Sequence, residues 1–213
     1  VGNYGTYCGT LDVYYYSQVA YEQLVNFIDQ DTFNTWLQNT LIPSAEKTID
    51  GYCNRSFGTP TYGTFTLDGA GKAWLPFPPK WTPLIGLSAG SIGGVGATMG
   101  NIYVYDTYLR REGSSFPSGR QNVIFYGSYG FLDEDRNPIV PADVQLVCMT
   151  LCSNALADMV RRNIAPEIFR NLVFRQYQQN TEELQSLFVL PMNFSQDLKN
   201  RLDPYRVNWV DIG

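Results

Sequence analysis

Apolar residues along the first quarter of the chain recur at helical spacing. Tyr21, Leu24, Val25 and Ile28 fall at i, i+3, i+4 and i+7, which predicts a short amphipathic helix from about Ser17 to Ile28. Residues 1–13, rich in Gly and Tyr, read as an extended arm before it. Asp31 is placed to cap a second helix carrying Phe33, Trp36, Leu37 and Leu41. Pro43 should kink or interrupt that helix, because its ring removes a donor and crowds the preceding turn. The stripe then resumes through Ile42, Ala45, Ile49, Tyr52 and Cys53 and stops before Phe57-Gly58, so helices are expected over about 17–57.

From 58 to 130 the period changes to that of strands and turns. Thr64-Phe65-Thr66-Leu67 alternates and meets Asp68-Gly69, a turn pair, ahead of Ala73-Trp74-Leu75. Pro76, Pro78, Pro79 and Pro83 exclude a central strand or helix there. Six glycines between Gly86 and Gly100 read as a flexible loop. Ile102–Tyr105 and Asn122–Tyr126 are the next expected strands, joined by a polar turn around Phe116-Pro117-Ser118-Gly119.

A long helix follows over 141–163. Pro141 suits a helix start, and Val144, Val147, Cys148, Leu151, Cys152, Ala155 and Met159 share one face. Residues 164–190 are ambiguous. A closing helix over 195–202 leads to Asp203-Pro204-Tyr205-Arg206 and a tail over 207–213. The pattern as a whole predicts an α+β chain: a helical bundle of about four helices with an inserted antiparallel β-hairpin region and an extended C-terminal tail. Residues 1–206 are expected to form one domain.

Composition adds two constraints. With 213 residues, 44% hydrophobic and 16% charged, the chain can bury a core without disulfides or metal. Fifteen Tyr, 12 Phe and 4 Trp suit either contact surfaces or a Tyr-rich β surface. The net charge of −5 argues against gripping a nucleic-acid backbone. Charge is uneven: no Lys or Arg precedes Lys47, whereas Arg161, Arg162, Arg170 and Arg175 gather later and are candidates for contacts between subunits or with a partner. The longest apolar runs fall far short of the ~20 residues of a membrane span, and no basic-then-apolar leader opens the chain. No membrane association and a cytoplasmic origin are the simplest expectation.

Chemistry finds little foothold. There is no histidine, so Gly86-Leu87-Ser88-Ala89-Gly90, which spells a nucleophile elbow, lacks the usual base. Cys148 and Cys152 stand at i, i+4 as paired metal ligands can, yet a site needs further soft or imidazole ligands and only the distant Cys8 and Cys53 remain. The pair is therefore expected to be buried small residues. The glycines of 90–96 are followed by no Gly-Lys-Ser/Thr, and Asp133-Glu134-Asp135 reads as solvated surface. No catalytic residue, cofactor or metal is expected, and an enzyme is the least favoured class.

Several stretches, in order, resemble the head-to-tail connector (adaptor) proteins of tailed bacteriophages. Ser17-Gln18-Val19-Ala20-Tyr21-Glu22-Gln23-Leu24 and Ala45-Glu46-Lys47-Thr48-Ile49-Asp50-Gly51-Tyr52-Cys53-Asn54-Arg55-Ser56-Phe57 look like that family's two N-terminal helices. Trp74-Leu75-Pro76-Phe77-Pro78-Pro79 resembles the element after its first strands. Phe116–Gly119 and Asn122–Gly130 resemble its second hairpin, and Val140-Pro141-Ala142-Asp143-Val144 the start of its packing helix. Leu202-Asp203-Pro204-Tyr205-Arg206 looks like its closing motif.

The resemblance implies a structural virion protein made in the host bacterial cytoplasm. It would form a homo-oligomeric ring, usually of twelve copies, between the portal protein and tail or neck proteins, with DNA passing unbound through the lumen. It also implies a portal-docking C-terminus, here Tyr205, Arg206, Val207, Trp209, Val210 and Ile212. The alternatives are a neck or tail-completion ring subunit and a carbohydrate- or receptor-binding module.

Overall fold

The computed structural model describes residues 7–26, 29–161 and 194–207. Its contacts divide the chain into two compact units, one of residues 1–54 with 140–206 and one of residues 55–139 with 207–213.

The first unit is helical. Helix α1 (Thr10–Val25) starts seven residues before the expected Ser17. Gly9 is its N-cap, and the Gly9 N–H donates to the Asp12 carboxylate at 2.7 Å, satisfying one of the helix's orphan donors. Tyr7 and Cys8, placed by sequence in an extended arm, are buried. Ser17 breaks the helical dihedrals at φ −120°, and its hydroxyl donates back to the Val13 carbonyl at 2.5 Å, a bond that bends helices.

Helix α2 (Gln30–Trp36) is capped by Asp29 rather than Asp31: the Asp29 carboxylate accepts from the Thr32 N–H at 2.9 Å. A π-turn over Leu37–Leu41 joins it to α3 (Ile42–Cys53), and the Ile42 N–H donates five residues back to the Leu37 carbonyl. The widened turn is how the helix meets Pro43, which can neither donate nor tolerate a tight preceding turn. Helix α4 (Ala142–Arg161) buries the whole predicted face, from Val144 to Met159, and α1, α3 and α5 (Gln196–Leu202) pack on it.

The second unit carries the strands: β1 (Thr61–Gly69), β2 (Trp74–Pro76), β3 (Leu84–Ile92), β4 (Val95–Gly96), β5 (Ile102–Val104), β6 (Tyr108–Arg111) and β7 (Gly119–Tyr129). They form two antiparallel sheets, β1-β7-β3-β4 and β2-β6-β5. In the larger sheet Phe65 lies opposite Phe125 and Leu67 opposite Val123, and these side chains meet Leu75, Leu109 and Phe116 in the unit's core. Pro76 lies on β2, an edge strand, where its missing donor costs no ladder bond.

These sheets overturn the expected helical bundle with an inserted hairpin region. Among the described residues there are five α-helices and seven strands, and the strands have a core of their own. The Gly86–Gly100 segment is the main reason. It is not a loop but β3, a tight turn and β4. A Cβ on Gly90 would lie 2.6 Å from the Ile124 carbonyl oxygen, so the glycine permits close approach of β3 to β7. Gly93 and Gly94, at φ +62° and +80°, make the two-residue turn that reverses the chain. The Asp68-Gly69 pair likewise remains in β1; the Asp68 carboxylate accepts from the Gln121 N–H at 2.6 Å.

Candidate functional site

Within the helical unit, three of the motif stretches meet. Tyr52 projects from the last turn of α3 and its hydroxyl donates to the Asp203 carboxylate at 2.6 Å. The Arg206 guanidinium stands 5.1 Å from the Tyr52 ring centroid. Asp143, in the first turn of α4, accepts from the Tyr205 hydroxyl at 3.4 Å and pairs with Arg201 at 3.5 Å. Ser195 caps α5 by accepting from the Leu198 N–H at 3.3 Å. Individually such exposed contacts are worth ~0.2–1 kcal/mol. Together they fix the direction in which the chain leaves α5.

The hydrogen bond to Asp203 raises the Tyr52 pKa above its ordinary value, with burial adding to it. Burial, and then the Asp143 charge, raises that of Tyr205.

The expected docking residues therefore separate. Tyr205 and Arg206 are occupied with Asp143 and Tyr52, and Val207 is 4% exposed. Trp209, Val210 and Ile212 lie outside the described residues, as do Arg162, Arg170 and Arg175. Arg161 ends α4. Sequence reasoning missed Tyr52 and Asp143 as partners of the closing motif, although both stand inside the motif stretches.

In the β unit, the three-stranded sheet exposes a row of aromatic side chains. Register places Trp74 and Tyr103 on either side of Arg110, and Pro76 opposite Tyr108. Tyr105 and Tyr108 stack at 4.4 Å with 9° between their planes, and the Lys72 ammonium lies 4.8 Å from the Trp74 ring centroid. Trp74, Tyr103, Tyr105 and Tyr108 are each 37–49% exposed. A flat aromatic face with basic groups among it can stack on a planar ligand or bury against another protein.

The third constellation is a thiol cluster. Cys148 and Cys152 face inward one turn apart on α4, and Cys8 Sγ reaches to 3.2 Å from Cys148 Sγ. All three are buried, and their sulfurs lie within 4.8 Å of one another. Hydrogen bonds with Cys148 and Cys152 lower the Cys8 pKa to about 5, while the bonds of Cys148 with Cys152 and with Cys8, and then burial, push Cys148 well above its ordinary value. Glu46 on α3 accepts from the Tyr7 N–H at 2.6 Å, and burial raises its pKa. Cys8 escaped sequence reasoning because it was placed in an arm. The Gly9 cap with Asp12 three residues on was the signal that a helix, and hence a fixed Cys8, begins there.

Other motifs are quiet. Ser88 lies within β3, without the strand-to-helix bend of an elbow, and its hydroxyl donates to the Tyr126 carbonyl at 3.2 Å. Asp133 closes a turn by accepting from the Asn137 N–H at 2.7 Å. Among the described residues no helix is long and apolar enough to cross a membrane. Compared with known proteins, the sequence matches no family model and no curated protein.

Proposed function

We propose that this chain is a structural, non-enzymatic assembly subunit of the head-to-tail connector type, one copy of a ring between portal and tail through which DNA passes. The observation that carries the reading is the convergence of Tyr52, Asp143 and Asp203–Arg206. These residues come from three of the stretches that resemble the connector family, with Tyr52 and Asp203 standing 151 positions apart in sequence, yet they form one set of contacts. Their effect is mechanical: they anchor the closing turn, so a segment beyond it starts from a fixed point. A docking tail benefits from such an anchor, because less freedom is lost when it binds.

The docking element then begins after Val207, with Trp209, Val210 and Ile212 as its apolar groups. Deleting residues 208–213 tests the reading. The truncated protein should keep the melting temperature of the full chain and fail to join portal-bearing heads. Normal joining by the truncated protein, or its unfolding, would overturn the docking role.

A second reading, a carbohydrate- or receptor-binding module, draws support from the exposed row of Trp74, Tyr103, Tyr105 and Tyr108. Binding of soluble glycans by the isolated protein would favour it over the connector.

A further inference from the structure

We propose that Cys8, Cys148 and Cys152 form a binding site for a thiophilic divalent cation, zinc by its chemistry. The inference is independent of the assembly role.

Geometry comes first. A tetrahedral zinc with Zn–S bonds of ~2.3 Å holds its sulfurs ~3.8 Å apart. Here Cys8 and Cys148 are 3.2 Å apart, and no separation among the three exceeds 4.8 Å, so adjustments of side-chain torsions suffice. Two of the donors are one helical turn apart on α4, which fixes their spacing through the backbone, and the third precedes the capped start of α1. All three are 6% exposed or less.

Charge favours the same conclusion. The carboxylates that act on the thiols are acidic neighbours, Asp12 on Cys8 and Glu46 on both Cys8 and Cys152. Three bound thiolates would place three negative charges beside them in a buried place, which is costly without a cation. A divalent ion offsets two of those charges, whereas a monovalent one offsets one. The Glu46 carboxylate, bonded to the Tyr7 N–H one residue before Cys8, lies outside the three-sulfur group, so zinc would keep three protein ligands and a fourth position for water. On binding, every thiol still protonated loses its proton to solvent and no redox change occurs.

Packing alone would also bury small sulfur side chains, and Cys53 shows this. Cys53 is buried on α3 but lies outside the three-sulfur group, so it serves as the internal control.

The test uses the full chain, reduced and purified from zinc-supplemented medium. Metal analysis should give one zinc per chain, and replacement by cobalt(II) should give the intense thiolate-to-metal absorption of a sulfur-rich tetrahedral site. Cys148→Ser and Cys152→Ser should each weaken zinc binding by more than the ~10–100-fold that outer-shell changes cost. Cys53→Ser should leave stoichiometry and spectrum unchanged. If a Cys148 or Cys152 variant fails to fold by circular dichroism, Cys8→Ser, outside the helices, takes its place. Zinc should also shield Cys8, Cys148 and Cys152 from alkylation in the wild-type chain. Folded, reduced protein that takes up neither zinc nor cobalt would overturn the proposal. So would a cobalt spectrum insensitive to the cysteine variants, or a Cys8–Cys148 disulfide formed in place of metal uptake.

Discussion

The Tyr52 hydroxyl donates to the Asp203 carboxylate at 2.6 Å, joining the end of α3 to the turn after α5 across 151 residues of sequence. Tyr52→Phe removes this bond but keeps the ring under Arg206, and should cost about 1 kcal/mol or less. Tyr52→Ala should cost more, since it also removes the cation–π contact, worth ~0.5–1 kcal/mol at an exposed site. The pH dependence has a definite sign. The hydrogen bond to Asp203 raises the folded-state pKa of Tyr52. Its stabilisation is therefore complete below the unfolded tyrosine pKa of ~10 and disappears as pH rises through the higher folded value. Urea titrations from neutral to alkaline pH should show the wild-type advantage over Tyr52→Phe shrinking at the alkaline end. A constant difference would mean that the bond does not form in solution.

Gly90 is a second sensitive point. A methyl group there would meet the Ile124 carbonyl oxygen at 2.6 Å and Phe125 Cε1 at 2.7 Å, and Phe125 is fully buried and cannot swing aside. Gly90→Ala should destabilise the β unit by ~1–3 kcal/mol, the range for overpacking a filled core. Gly96→Ala meets nothing within 4 Å and should change stability by no more than ~0.5 kcal/mol. Thermal unfolding of the two variants checks the contrast. Equal effects would show that β3 does not lie this close to β7.

These glycines also explain why the β unit was hard to read. Sequence patterning depends on side chains that alternate. Gly86, Gly90, Gly93, Gly94 and Gly96 supply none, so a strand, a turn and a second strand looked like one loop. Strand β6 is only Tyr108–Arg111, too short for alternation to stand out. By contrast the inward face of α4 was legible residue by residue, because a filled core requires apolar side chains at 3.6-residue spacing and solvent requires none. The candidate sites were legible only as letters. Asp143 and Tyr205 are 62 residues apart, and Cys8 and Cys148 are 140 apart. Nothing local in a sequence announces which distant residues a fold will bring together.

Asp29 offers an acid-side counterpart to Tyr52. As N-cap of α2 it accepts hydrogen bonds from Thr32, and these lower its pKa below the ordinary aspartate value of 3.8. Its stabilisation is thus present above that ordinary value and lost as pH falls through the lower folded one. Asp29→Asn still offers an oxygen to the Thr32 N–H but carries no charge toward the helix N-terminus. At neutral pH the wild type should be the more stable of the two. The order should narrow or reverse as pH falls through that lower folded value. Denaturant titrations from neutral into the acid range read this directly, and a pH-independent difference would exclude the cap.

The exposed aromatic row makes the last prediction and separates the two functional readings. Trp74 and Tyr103 lie on opposite strands flanking Arg110 and are 49% and 47% exposed. Replacing both by threonine keeps β propensity and removes the two most exposed aromatic rings of the row. Because about half of each side chain already faces solvent, the loss in stability should be modest, on the order of 1 kcal/mol per site. A contact role predicts a larger functional effect, since aromatic side chains at the centre of an interface commonly contribute ~2 kcal/mol or more. For the connector reading, the double variant should remain folded and show a clear defect in joining heads or tails. For the module reading, it should join normally and lose glycan binding as an isolated protein. Calorimetry against soluble glycans and an assembly assay on the same preparation distinguish these outcomes. A folded double variant that matches wild type in both would show that the row is an exposed β surface with no partner, and would remove the support it lends to either reading.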